Sequence, residues 1–173
     1  GKDMLIDCAN YNNTGAIRER TMTYLNTYVT DGQLDYLMVT HGDSDHIYFV
    51  DEVLYSFDVD VIYMPFILAE PENATKAEAV NNLPKDKLDL FTDKDTLTSG
   101  VYADFFIAAL SEPEAEINFN IGEFSIETDT YSLDFYCYAE SDWTNSNLNS
   151  AEKKNAVSPI GILEYNGRRI VLT

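Results

Sequence analysis

The chain contains two histidines, and both fall within six residues, at His41 and His46. Asp43 and Asp45 alternate between them in the run His41-Gly42-Asp43-Ser44-Asp45-His46. Imidazole nitrogen and carboxylate oxygen are the donors that zinc, manganese and iron take from proteins. Four such groups in one tight loop can serve a single cation or two adjacent ones. A pair of metals lowers the pKa of a bridging water and clamps the substrate oxygen. The plainer reading of the same residues is a turn whose Asp caps the next helix.

Any such loop needs rigid elements on both sides. Leu34 to Thr40 (LDYLMVT) is an apolar run with one acidic residue near its start, which suits a strand buried on both faces. The loop follows its C-terminal end, the edge where α/β sheets build ligand sites. Ile47, Val50, Leu54 and Phe57 then repeat at helical spacing, and Val59 to Met64 reads as a strand stopped by Pro65. Upstream, Met4 to Cys8 is a short apolar strand interrupted by Asp7. Asn10 to Gly15 is a turn cluster, and Ile17, Met22, Leu25 and Val29 mark an amphipathic helix that Asp31-Gly32 stops. The order strand, helix, strand, helix, strand predicts an α/β layer.

The second half is richer in strands. Residues 73–82 and 85–91 read as exposed helices, and Tyr102 to Leu110 as helix or strand. Ile117 to Ile126 alternates around Gly122, as two short strands or a hairpin would. Ser132 to Ala139 alternates as a strand, and Asp142 to Asn155 is a polar loop. Ile160 to Tyr165 and Arg168 to Thr173 flank Asn166-Gly167, the signature of a hairpin with a type I′ turn.

Composition narrows the functional classes. The 173 residues suit one domain. Lys plus Arg number 11 against 30 Asp plus Glu, and the resulting charge of −19 disfavours nucleic acid and anionic membranes as partners. Apolar residues at 45 % separate this acidity from that of a disordered tail. No apolar run approaches the ~20 residues of a transmembrane segment. Cys8 and Cys137 lie outside any C-x-x-C motif, so two buried thiols are expected rather than a redox pair, with a disulfide as the alternative. Ser158-Pro159 and the other serines have no His partner outside the loop, so a Ser-His-Asp triad is not expected. A surface rich in Asp, Asn, Thr and Tyr and poor in Lys suits an extracytoplasmic or secreted protein, with the cytoplasm as the alternative.

The order His-x-Asp-x-Asp-His, after an apolar strand ending in Thr and before an amphipathic helix, resembles the metal loop of the metallo-β-lactamase superfamily, usually His-x-His-x-Asp-His. With Asp43 in place of the second His, it is similar to the branch related to the extracytoplasmic domain of the DNA-uptake channel of naturally competent bacteria (the ComEC/Rec2-like group). Leu5-Ile6-Asp7-Cys8-Ala9 resembles the family's L-I-D-x-G segment, and Asn155 to Thr173 its late hairpin. The resemblance implies an αββα sandwich of mixed sheets formed by one domain over residues 1–173. It implies metal ligation by His41, Asp43, Asp45 and His46, with Asp45 also handling the water or its proton. Asp7 would be a carboxylate under the loop, bonded to a ligand or to a backbone N–H. Two departures stand out. Ile47-Tyr48-Phe49 follow the loop where the family often has Gly-Gly, and no third His is present. The expectation is therefore a fragment of the domain, lacking the first strand and the later ligands.

On this reading the protein is a metal-dependent hydrolase. One or two divalent ions, zinc or manganese, activate water to cleave a phosphodiester or ester-type bond in a small substrate. Metal occupancy in this chain alone is expected to be weak or nil. The alternative is a non-catalytic binding or surface module on the same fold with a degenerate metal site.

Overall fold

The computed structural model describes residues 2–10, 14–64, 100–119, 122–137, 147, 152, 155–156 and 158–172. The elements run β1 (Met4–Ile6), α1 (Gly15–Tyr28), β2 (Gln33–Met38), α2 (Ser44–Ile47), α3 (Val50–Ser56) and β3 (Asp58–Met64). They continue with α4 (Gly100–Ser111), β4 (Glu116–Phe119), β5 (Phe124–Glu127), β6 (Tyr131–Tyr136), β7 (Ile160–Tyr165) and β8 (Arg168–Leu172). The expected helices at 73–82 and 85–91 lie outside the described residues, as does most of the polar loop at 142–155. No described helix is long and apolar enough to cross a membrane.

Two sheets form, each with its own direction. The first is parallel throughout, in the order β1-β2-β3-β4, with Ile6 opposite Met38 and Leu37 opposite Ile62. The second is antiparallel throughout, in the order β5-β6-β7-β8. Helical crossovers join parallel strands because a tight turn cannot return the chain to the same end of the sheet. The first sheet is buried on both faces, which is why its strands read as apolar runs. Leu5, Leu37, Val39 and Ile62 pack with Leu25 of α1, Val53 of α3 and Phe105 of α4 in one core. Met4, Ile6, Met38 and Tyr63 face the other way, into a second core with Ile126, Leu133 and Phe135 of the second sheet. The described residues thus build helix, sheet and sheet, three layers of the α/β sandwich expected from the sequence.

Three local outcomes refine the sequence reading. The segment Ile117 to Ile126 is two strands in different sheets and not a hairpin: β4 pairs with β3, whereas β5 pairs with β6. Gly122, with φ of 67°, lies between them. The helix expected over Ile47 to Phe57 is divided into α2 and α3. The Phe49 N–H donates to the Cys8 carbonyl at 2.9 Å instead of to its own helix, so the chain leaving β1 interrupts the ladder. The Asn166-Gly167 turn has φ of 51° and 69°, as a type I′ turn requires.

Candidate functional site

Parallel pairing puts the C-terminal ends of β1 and β2 side by side, and the site is built on those ends. Asp7 follows β1 directly and takes a left-handed conformation, φ 55°, which Asp tolerates better than most residues. Its N–H donates to the Met38 carbonyl at 2.9 Å. The Cys8 N–H next donates to the His46 carbonyl at 2.8 Å. The chain after β1 is therefore tied both to the end of β2 and to the loop that carries the histidines.

Three donors converge on the Asp7 side chain, each at 2.7 Å. The Thr40 N–H donates to Oδ1, while the Thr40 hydroxyl and His46 Nδ1 both meet Oδ2. A carboxylate only accepts, so the bond to His46 requires the proton on Nδ1, and in the neutral ring Nε2 carries the lone pair. The Thr40 hydroxyl has one proton, and Asp7 takes it. Towards His41 Nδ1, 3.2 Å away, Thr40 Oγ1 can therefore only accept.

His41 is 3 % exposed and is the one buried polar side chain among the described residues. Burial lowers its pKa from the usual histidine value, and His46 adds to this, while Asp43, Asp7 and Asp45 oppose it. The two imidazole centroids are 3.9 Å apart. His41 Nδ1 also lies 2.8 Å from the Ser158 hydroxyl, across 117 residues of sequence. His41 Nε2 is 3.7 Å from Asp43 Oδ2.

The loop residues thus take different places. Asp43 is the N-cap residue of α2, but its side chain makes no capping bond. Asp45 and His46 lie in the short helix α2 itself. His46 turns inward to Asp7, whereas Asp45 is exposed in the first turn. Ser158 was not expected here. It approaches from the segment before β7, in the second sheet, and no local pattern in the sequence connects it to His41. Asp7, Thr40, His41, His46, Ser158 and Gly161 all border one cavity of about 740 Å³. A second cavity of about 410 Å³, bordered by Met4, Ile6, Tyr36 and Leu163, is mainly apolar and has no comparable set of polar groups.

The donor types suit a divalent metal. Each histidine has its Nδ1 held by an oxygen, as ligand histidines usually do. The separation of His41 Nε2 from Asp43 Oδ2 is near the about 3.4 Å edge of a tetrahedral zinc site with bonds of about 2.1 Å. The number of donors falls short. Among the described residues, no three His, Cys, Asp or Glu side chains converge closely enough to hold an ion. In this conformation the set is an edge of a coordination shell and not a closed one. Among known families, the model described as the metallo-beta-lactamase superfamily matches residues 1–144. No curated protein matches the chain.

Proposed function

Because the chain belongs to the metallo-β-lactamase superfamily, whose members are metal-dependent hydrolases generally, we propose that it hydrolyses an ester-type or phosphodiester bond at the His41–His46 edge of its parallel sheet. The observation that carries this reading is the convergence of Asp7, Thr40, His41 and His46 on one cavity at the ends of two parallel strands. The donors offered to zinc or manganese, as one ion or two, are His41, Asp43, Asp45 and His46. A divalent ion, when bound, supplies water of lowered pKa.

The remaining work belongs to the chain. Asp7 fixes the His46 ring through Nδ1, which turns Nε2 away from Asp7 and leaves it as the nitrogen for a ligand. Burial lowers the pKa of His41 and so favours the neutral ring, which offers a lone pair. Asp45 is exposed in the first turn of α2, open to water, and takes the acid–base role that the resemblance implies for it. Ile6, Phe135, Ile160 and Leu172 give the cavity an apolar wall for the organic part of a small substrate. The loop's likeness to the competence-related branch favours a phosphodiester. The charge of −19 disfavours a long polyanion such as nucleic acid.

A non-catalytic module on the same fold is the second reading, and the incomplete donor set among the described residues favours it. Metal analysis of wild type beside His46→Ala separates the two, together with assays on a nitrophenyl ester and a bis-nitrophenyl phosphate. The hydrolase reading expects zinc or manganese in wild type, less in the variant, and turnover of at least one substrate. A wild type that stays metal-free and inactive with both ions added sinks it and leaves the module.

A further inference from the structure

We infer that Ser158 is a positioning residue for His41: its hydroxyl accepts the Nδ1 proton across the two sheets and so holds the ring with Nε2 unprotonated beside Asp43. The inference rests on the hydrolase reading for its purpose, but on geometry for its content.

Three contacts carry it. The Ser158 oxygen is 2.8 Å from His41 Nδ1, the shorter of the two hydroxyl contacts to that nitrogen. The other hydroxyl, Thr40, has committed its proton to Asp7 at 2.7 Å and can only accept from the ring. A proton on Nδ1 satisfies both neighbours, whereas a lone pair there would face the Thr40 oxygen unbonded. On the far side of the ring, Nε2 and Asp43 Oδ2 stand 3.7 Å apart, beyond hydrogen-bond reach. Two acceptors facing each other at that distance leave room for a cation between them. Asp7 sets the same tautomer in His46, so both rings would present Nε2 to the chemistry.

The location of Ser158 adds a mechanical argument. The His41 loop ends a strand of the first sheet, whereas Ser158 precedes β7 of the second. Its N–H donates to the Asn155 carbonyl at 3.2 Å, and the adjoining Pro159 is buried, which restrains the backbone that carries the hydroxyl. His41 is therefore gripped from both layers, and its orientation depends on how the sheets pack.

The test uses the full chain with ¹⁵N-labelled histidine, where two histidines give four ring nitrogens to assign. His46→Gln identifies which signals belong to His41. Wild type without metal is expected to show His41 protonated at Nδ1 and bare at Nε2. Ser158→Ala leaves the Nδ1 proton only the longer Thr40 contact, and is expected to raise the share of ring protonated at Nε2 and to weaken zinc binding about 10- to 100-fold. Ser158→Thr, which keeps the hydroxyl, should recover most of that loss. A His41 proton on Nε2 in wild type overturns the inference even if Ser158→Ala fails to fold. An unchanged tautomer in a folded Ser158→Ala does the same. Should the tautomer shift as expected while wild type hydrolyses neither ester nor phosphodiester, the role of Ser158 stands and the hydrolase reading fails.

Discussion

Asp7→Asn isolates the carboxylate on which the site is built. The left-handed backbone at Asp7 makes Asn the appropriate replacement, since Asn also tolerates φ near 55°. The Asn carbonyl can keep the bond from the Thr40 N–H. Its NH₂ group then occupies the place of Oδ2, where the Thr40 hydroxyl and His46 Nδ1 both point at 2.7 Å. The hydroxyl can rotate away, and His46 keeps a bond only by moving its proton to Nε2, so that Nδ1 accepts from the amide. The three bonds to a charged carboxylate are then replaced by weaker bonds to a neutral amide, at about 1 kcal/mol each. The Asp7 side chain is 19 % exposed, so water recovers part of the loss. The expected cost is about 2–3 kcal/mol, which for a domain of this size lowers Tm by roughly 4–12 °C. Asp7→Ala loses the same bonds and places an alanine in the left-handed region, adding about 1–2 kcal/mol. Urea unfolding of the three proteins, with thermal melts beside it, gives both differences. If Asp7→Asn lies within about 0.5 kcal/mol of wild type, Asp7 does not hold the loop. If Ala is no worse than Asn, the backbone argument is wrong.

Other expectations follow from the same structure. A Cβ on Gly161 would sit 2.8 Å from Phe135 Cε1, and that ring is buried and stacked on Phe124, so Gly161→Ala should cost about 1–3 kcal/mol in chemical unfolding. A loss below 0.5 kcal/mol would mean that the ring moves aside freely. Burial, with Asp7 and then Asp51 adding to it, pushes the Cys8 thiol up to about 11, and burial beside Glu123 does the same for Cys137. At pH 8 the free thiols should react with iodoacetamide about 100-fold more slowly than in the urea-unfolded chain, because only the thiolate attacks. The raised values also mean that the unfolded chain gives up these protons first. Stability from the two thiols is then complete below pH 9 and declines as pH rises towards 11, which unfolding at several pH values will show. Leu37→Ala, at a fully buried position in the core under the helices, should cost about 2–5 kcal/mol, whereas Val171→Ala at 57 % exposure should stay within about 0.5.

Much of the fold is legible because its causes are local. An apolar run marked β2 as a strand covered on both faces, Val59 to Met64 ahead of Pro65 marked β3, and the turn chemistry of Asn166-Gly167 marked the last hairpin. The spacing of His41, Asp43, Asp45 and His46 singled out the loop, since it lies within one short stretch of chain. The boundary between α2 and α3 was not legible, because a backbone bond from Phe49 to Cys8, 41 residues earlier, decides it. The same limit applied at Gly122, where the alternation on both sides fits a hairpin as well as two strands of separate sheets. Which occurs depends on whether β3 and β6 are present as partners, and a local pattern does not encode that.

The site divides in the same way. Sequence by itself determined the residue types available for chemistry, the excess of acid around them and the strand end on which they sit. Only the tertiary structure decided how those residues are used. It gave Asp7, expected under the loop, its partners Thr40 and His46, left Asp45 in solvent, and brought Ser158 from the other sheet to His41. The physical reason is that tautomer, burial and orientation are set by partners 33 to 117 residues away in the chain, which strand pairing and sheet packing alone bring within 3 Å.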